Sequence, residues 1–165
     1  MRHLIVSRSF RYFYHKKAMV SEKLKLQNQL CFPVYAASRL ITREYQPFLD
    51  KIGLTYPQYL VLLVLWETDG MTVNDISQRL ILNTNTVTPL LQRMEATGII
   101  VRQRSGEDER RVLVNLTEKG KGLQLAAAEI PEKLSESLLA SDLSVEELMA
   151  LKQTLHRVIA FLSKK

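Results

Sequence analysis

Gly98-Ile99-Ile100-Val101-Arg102-Gln103-Arg104, followed by Asp108-Glu109-Arg110-Arg111-Val112-Leu113-Val114-Asn115-Leu116-Thr117, is the stretch on which the fold turns. Two β-branched, alternating runs flank a short charged turn from Ser105 to Glu109, which is the pattern of a hairpin. Just upstream, Val87-Thr88-Pro89-Leu90-Leu91-Gln92-Arg93-Met94-Glu95 carries apolar residues at helical spacing. A helix feeding a hairpin whose tip bears arginines is the layout of a winged helix-turn-helix, which places one helix in the DNA major groove and a wing beside it. The predicted fold class is therefore mainly α with a small β-hairpin wing (α+β).

Working outward, helical periodicity extends from Leu30 through Val34, Ile41, Tyr45 and Leu49 to Ile52. Thr55 is the expected cap of a second helix, with Pro57 in its first turn and Asp69-Gly70 after its end. Thr72 is the expected cap of a third, with Ile76 and Leu80 facing inward. Asn83-Thr84-Asn85-Thr86 is a cluster of capping residues before the recognition helix. Pro89 lacks an N–H and is tolerated most easily in a first turn, so Asn85 is the expected cap and an earlier, kinked start the alternative. Beyond the hairpin, Thr117 caps a predicted helix from Glu118 to about Leu139, interrupted by Pro131. Ser144-Val145-Glu146-Glu147 is a capping box opening the last helix. The winged lobe spans about 55–116. The flanking helices, about 28–52 and 118–163, carry apolar stripes that a small lobe cannot bury, so they are read as dimerisation helices of a homodimer.

Charge is a poor guide to function here. The 165 residues carry a net charge of +6. Residues 1–26 hold seven Lys/Arg and one Glu, so the whole excess lies there and the rest of the chain is neutral. These 26 residues form a basic extension. The acid-free stretch 1–20 is open to three readings: an arm that clings to nucleic acid, a transit peptide, or an upstream start with Met19 as the natural one, the last being favoured. No clean apolar core of a secretory signal is visible, and the longest apolar run, Tyr59 to Trp66, is too short to span a bilayer. One cysteine, Cys31, excludes a disulfide framework within one chain and disfavours a structural zinc site; no cofactor is expected. A cytoplasmic protein with no membrane partner is the expectation.

On the recognition helix, Val87, Leu90, Leu91 and Met94 form the inward face. The opposite surface carries Thr84, Asn85, Thr86, Pro89, Gln92 and Arg93. Short hydroxyl and amide side chains at a helix N-terminus reach base edges or present backbone N–H groups to phosphates. Asn83, Thr84 and Asn85 taken singly read better as caps; as a set before a wing the residues of this surface predict contact with double-stranded operator DNA. At the wing, Arg110 is placed to enter a narrow minor groove, with Asp108 orienting it. Arg102, Arg104 and Arg111 are candidate phosphate contacts. The string Asp108-x-Arg110 with Leu116-Thr117-x-x-Gly120 resembles the signature of the MarR family of transcription regulators.

The second informative string is Leu30-Cys31-Phe32-Pro33-Val34-Tyr35-Ala36-Ala37-Ser38-Arg39. With Leu54-Thr55-Tyr56-Pro57-Gln58-Tyr59-Leu60 and Leu65-Trp66-Glu67, it is similar to the organic hydroperoxide resistance (OhrR) subgroup of that family over residues 27–165. The resemblance implies a redox-sensing cysteine, Cys31, held by Tyr35, Tyr45 and Tyr56, the last two coming from the partner subunit. A thiolate attacks peroxides, phenolic hydroxyls donate hydrogen bonds to it, and their rings suit an organic peroxide. With no second cysteine in the chain, the sulfenic acid must meet a small thiol, a backbone amide or another chain. Pro33 departs from the subgroup's pattern. A helix starting well before Cys31 would be broken at Pro33 at a cost of about 3 kcal/mol, whereas one starting near Cys31 holds it in the first turn.

The expected function is a repressor that senses organic hydroperoxides through Cys31 and releases operator DNA on oxidation, with a small thiol as mixed-disulfide partner. The rival is a MarR-type regulator answering to a small phenolic ligand, with Cys31 structural. An enzyme, a thiol peroxidase, is disfavoured because no strand–helix peroxidase scaffold or resolving cysteine is present.

Overall fold

The computed structural model describes residues 21–106, 111–140 and 142–164. Residues 1–20, Asp108 and Arg110 lie outside the described residues. The chain divides into two compact units, residues 1–44 and 45–165, with the boundary inside helix α1, Cys31–Lys51. Helix α1 begins at Cys31, so Pro33 sits in its first turn, where no intrahelical bond is lost. Of the two placements open for Pro33, the late start is the one observed.

In the second unit, α2 (Tyr56–Glu67) opens behind Thr55, whose N–H donates to Gln58 Oε1 at 2.8 Å. Strand β1 (Met71–Thr72) leads into α3 (Val73–Leu80), capped by Thr72 Oγ1 accepting from Asp75 N at 3.1 Å. Then come α4 (Thr84–Ala96), β2 (Ile100–Arg104) and β3 (Val112–Leu116). The sheet order is β1-β3-β2, antiparallel throughout, with Ile100 opposite Leu116 and Arg104 opposite Val112. The core lies between α2, α3, α4 and this sheet; Leu62, Leu65, Ile76, Leu91, Met94, Ile100 and Val114 are fully buried. Strand β1, at two residues, is too short to show any periodicity in sequence.

Three helices follow, α5 (Glu118–Ala127), α6 (Ile130–Leu139) and α7 (Val145–Leu162). The break expected at Pro131 falls at Ala128–Glu129, and Pro131 occupies the first turn of α6, where its missing N–H is harmless. Thr117 closes the wing and opens α5 together. Its Oγ1 accepts from Gly120 N at 3.1 Å and donates to Gly98 O at 2.7 Å. Gly120 is required by proximity, since a Cβ there would stand 2.2 Å from the Ile99 carbonyl oxygen. The capping box at Ser144 and Glu147 is formed. Helix α7 buries none of its residues, although Leu151, Val158 and Leu162 lie along it. Among the described residues no single helix is long and apolar enough to cross a membrane.

Candidate nucleic-acid interface and cysteine site

Helix α4 is two-faced. Val87, Leu90, Leu91 and Met94 are buried, while Thr84, Asn85, Thr86, Pro89, Gln92 and Arg93 are all exposed. The expected cap needs correction: Asn83, not Asn85, precedes the helix. Its carbonyl accepts from Thr86 N at 2.9 Å and Val87 N at 3.1 Å, so the turn before Pro89 is already helical. Pro89 is therefore interior. It is tolerated because it lies on the exposed face, where the Asn85 carbonyl it leaves unbonded is open to water. The Asn83 side chain makes no capping hydrogen bond, which leaves the Thr84 and Asn85 amides, unlike that of Thr86, for an external acceptor such as a phosphate.

At the wing, Ser105 N donates to Arg111 O at 2.8 Å, and Arg104 and Arg111 are exposed beside this closure. Arg102 behaves differently from the phosphate contact expected of it. Its backbone N–H donates to Glu95 Oε1 at 2.9 Å, its Nε to Glu95 Oε2 at 2.9 Å, and its guanidinium reaches the same oxygen at 2.8 Å. The guanidinium is committed to the carboxylate and locks β2 to the last turn of α4. Those hydrogen bonds, the side-chain one foremost, hold the Glu95 carboxyl below its ordinary range. A helix–strand pair of this kind has no signature in the local sequence.

Of the four residues expected at the redox site, two lie in each unit. In the first, Cys31 is the opening residue of α1 and exposed, at the positive end of the helix dipole. Tyr35 follows one turn later, its hydroxyl accepting from Arg39 at 3.4 Å with the guanidinium 5.7 Å from the ring centroid. In the second, the rings of Tyr45 and Tyr56 pack with centroids 4.9 Å apart. Tyr59, not expected in this group, joins them at 5.9 and 6.5 Å and stacks edge-on to Trp66 at 6.3 Å. Burial first, then the neighbouring phenols, pushes the Tyr45 hydroxyl up to about 12; burial also raises Tyr56 and Tyr59. These phenols stay protonated at neutral pH and remain hydrogen-bond donors. Beside them, Tyr59, Leu63, Trp66, Glu67, Gln124, Ala127, Ala128 and Pro131 line an open, mostly apolar cleft of about 300 Å³.

A three-stranded sheet and a two-faced helix behind a helical turn define a winged helix-turn-helix. The family model for transcriptional regulators SarA/Rot matches residues 43–125. The organic hydroperoxide resistance transcriptional regulator of Bacillus subtilis is 47% identical over 144 residues, covering 87% of this chain and 96% of that one. Reduced AbfR of Staphylococcus epidermidis, solved bound to DNA, superposes with a TM-score of 0.68 at 37% identity, covering 86% of this chain and 97% of that one. A MarR transcriptional regulator from Methanosarcina mazei shares the fold, with a TM-score of 0.69 at 22% identity over 81% of this chain and 96% of that one. The chain belongs to the MarR family of transcription regulators, among those similar to the organic hydroperoxide resistance regulators.

Proposed function

We propose that the chain is a homodimeric, cytoplasmic repressor that binds double-stranded operator DNA when reduced and releases it when an organic hydroperoxide oxidises Cys31. One observation carries the reading: the single cysteine of a chain 47% identical to an organic hydroperoxide resistance regulator is exposed at the first residue of a helix. The thiolate attacks the distal peroxide oxygen and the O–O bond breaks. Sulfur, oxidised by two electrons, takes the distal hydroxyl and becomes a sulfenic acid, and the alkoxide left behind takes up the proton released when the thiol ionised and leaves as the alcohol. A small thiol then condenses with the sulfenic acid to a mixed disulfide and water. Tyr35, one turn along α1, and the protonated pair Tyr45–Tyr56, assigned to the partner's thiol by the family resemblance, supply the donors and the apolar surface.

DNA contact is assigned to Thr84, Asn85, Thr86, Pro89, Gln92 and Arg93 of α4 and to Arg104, Asp108, Arg110 and Arg111 of the wing. Support comes from the exposed polar face of α4 and from the likeness to a regulator solved on DNA. The unburied apolar length of α7 supports a dimer, since surfaces of that kind are seldom left to water. Operator binding measured with and without cumene hydroperoxide, on wild type and Cys31→Ser, tests the reading. Peroxide-induced release by Cys31→Ser would refute it.

One observation favours a second reading, a regulator gated by a small phenolic ligand with Cys31 inert: the open, mostly apolar cleft of about 300 Å³ beside Tyr59 and Trp66. Retention of operator by peroxide-treated wild type, with release by a phenolic carboxylate, would select it.

A further inference from the structure

Three helices of the DNA-binding unit end in the same hydrogen-bonded motif, and one of them departs from the other two. After α1, Gly53 N donates to Asp50 O at 3.2 Å and Leu54 N to Leu49 O at 3.0 Å. After α4, Gly98 N donates to Glu95 O at 2.8 Å and Ile99 N to Met94 O at 3.0 Å. After α3, Ile81 N donates to Gln78 O at 3.1 Å and Leu82 N to Ser77 O at 2.9 Å. This is the Schellman arrangement, whose penultimate residue takes left-handed backbone angles and is usually glycine. Gly53 and Gly98 obey, at φ 68° and 70°; Ile81, at φ 56°, is the lone non-glycine with positive φ among the described residues.

A β-branched residue is the type least suited to that conformation. The motif also has an apolar follower that normally packs back on its helix. Leu54 and Ile99 do so, at 3% and 4% exposure, but Leu82 is 40% exposed and Ile81 63%. At this one turn the chain thus holds a strained, water-facing Ile–Leu pair where its own two other examples hold a glycine and a buried residue. Strain of this kind gathers at functional positions. The turn runs directly into Asn83 and the exposed N-terminal face of α4, so what α4 meets, the turn meets. The apolar feature a major groove offers is the thymine 5-methyl group.

Resting on the DNA-binding reading above, we propose that Ile81, seconded by Leu82, is a specificity-determining contact to a thymine 5-methyl group in the operator. The test uses a duplex selected from a random-sequence library by the reduced wild type, together with Ile81→Gly and Ile81→Asn, both of which accept left-handed backbone angles. Each variant is expected to melt no lower than wild type yet bind the duplex roughly tenfold more weakly, the loss of a few apolar carbons from contact. Replacing thymines one at a time by deoxyuridine should weaken wild-type binding at one position or more while leaving Ile81→Gly indifferent there. Wild-type affinity in both variants, an altered dimer mass in either, or a thymine dependence identical in wild type and variant would overturn the assignment. Failure of the wild type to select any duplex would instead remove the DNA-binding reading itself.

Discussion

Replacing Glu95 by alanine removes a carboxylate that ties β2 of the wing to α4. Two hydrogen bonds and an ion-pair contact from Arg102 are lost together, and one of the bonds leaves a backbone N–H of β2 without its acceptor. The side chains are 34% and 23% exposed, so the pair stands between a surface ion pair, worth at most about 1 kcal/mol, and hydrogen bonds to a sheltered charge, worth about 1.5–3 kcal/mol. Discounted for solvent, the expected loss is about 1–2 kcal/mol, which for a chain of this size lowers the melting temperature by roughly 3–6 °C. Operator affinity should fall more than this suggests, because the wing loses its register against α4. The pH dependence has a definite sign. The folded state lowers the Glu95 pKa from its ordinary 4.5, so the contribution is fully present above that value. It disappears as pH falls through the lowered folded value, and Glu95→Ala should lack this portion of acid-sensitive stability. Thermal melts between about pH 3 and 7, combined with a double-mutant cycle against Arg102→Ala, read all of this. Additivity of the two substitutions within ~0.3 kcal/mol would show that the pair is ordinary surface and refute the reasoning.

Gly120→Ala should lower the melting temperature by roughly 3–9 °C, because overpacking typically costs about 1–3 kcal/mol and the clash is with backbone 2.2 Å away. The bond from Trp66 Nε1 to Gly120 O, 3.0 Å, should loosen with it and shift the tryptophan emission, whereas Gly122→Ala, which meets nothing within 4 Å, should do neither. Tyr45→Phe and Tyr56→Phe should keep fold and operator affinity while slowing peroxide-driven release, each removing one phenolic donor and keeping its ring. Release at the wild-type rate by both variants would reduce these residues to packing.

What was legible in the chain was local. The caps at Thr55, Thr72, Thr117 and Ser144 act over three or four residues, and the two-faced pattern of α4 repeats every turn, so residue types alone announce them. The aversion of proline to helix interiors points to Asn85 as the cap, yet Pro89 is accommodated on an exposed face and Asn83 takes that place. Strand β1 draws its existence from β3, and the Glu95–Arg102 lock joins a helix to a strand; neither has a period to betray it. The aromatic group was legible in Tyr45 and Tyr56 only through resemblance. Tyr59 stands in the apolar run of α2, and periodicity gives no sign of its ring contacts with Tyr45, Tyr56 and Trp66. Ile81 concealed itself most thoroughly, since nothing about an isoleucine advertises a positive φ.

The central claim is that oxidation of one sulfur atom governs DNA binding. A stepwise titration of the operator complex with cumene hydroperoxide tests it, with fluorescence anisotropy reading the bound fraction and intact-protein mass spectrometry reading oxidised Cys31 in the same samples. Release is expected to follow oxidation of Cys31 point for point and to be absent from Cys31→Ser. Full oxidation of Cys31 with the operator still bound, or release while the thiol remains reduced, would contradict it.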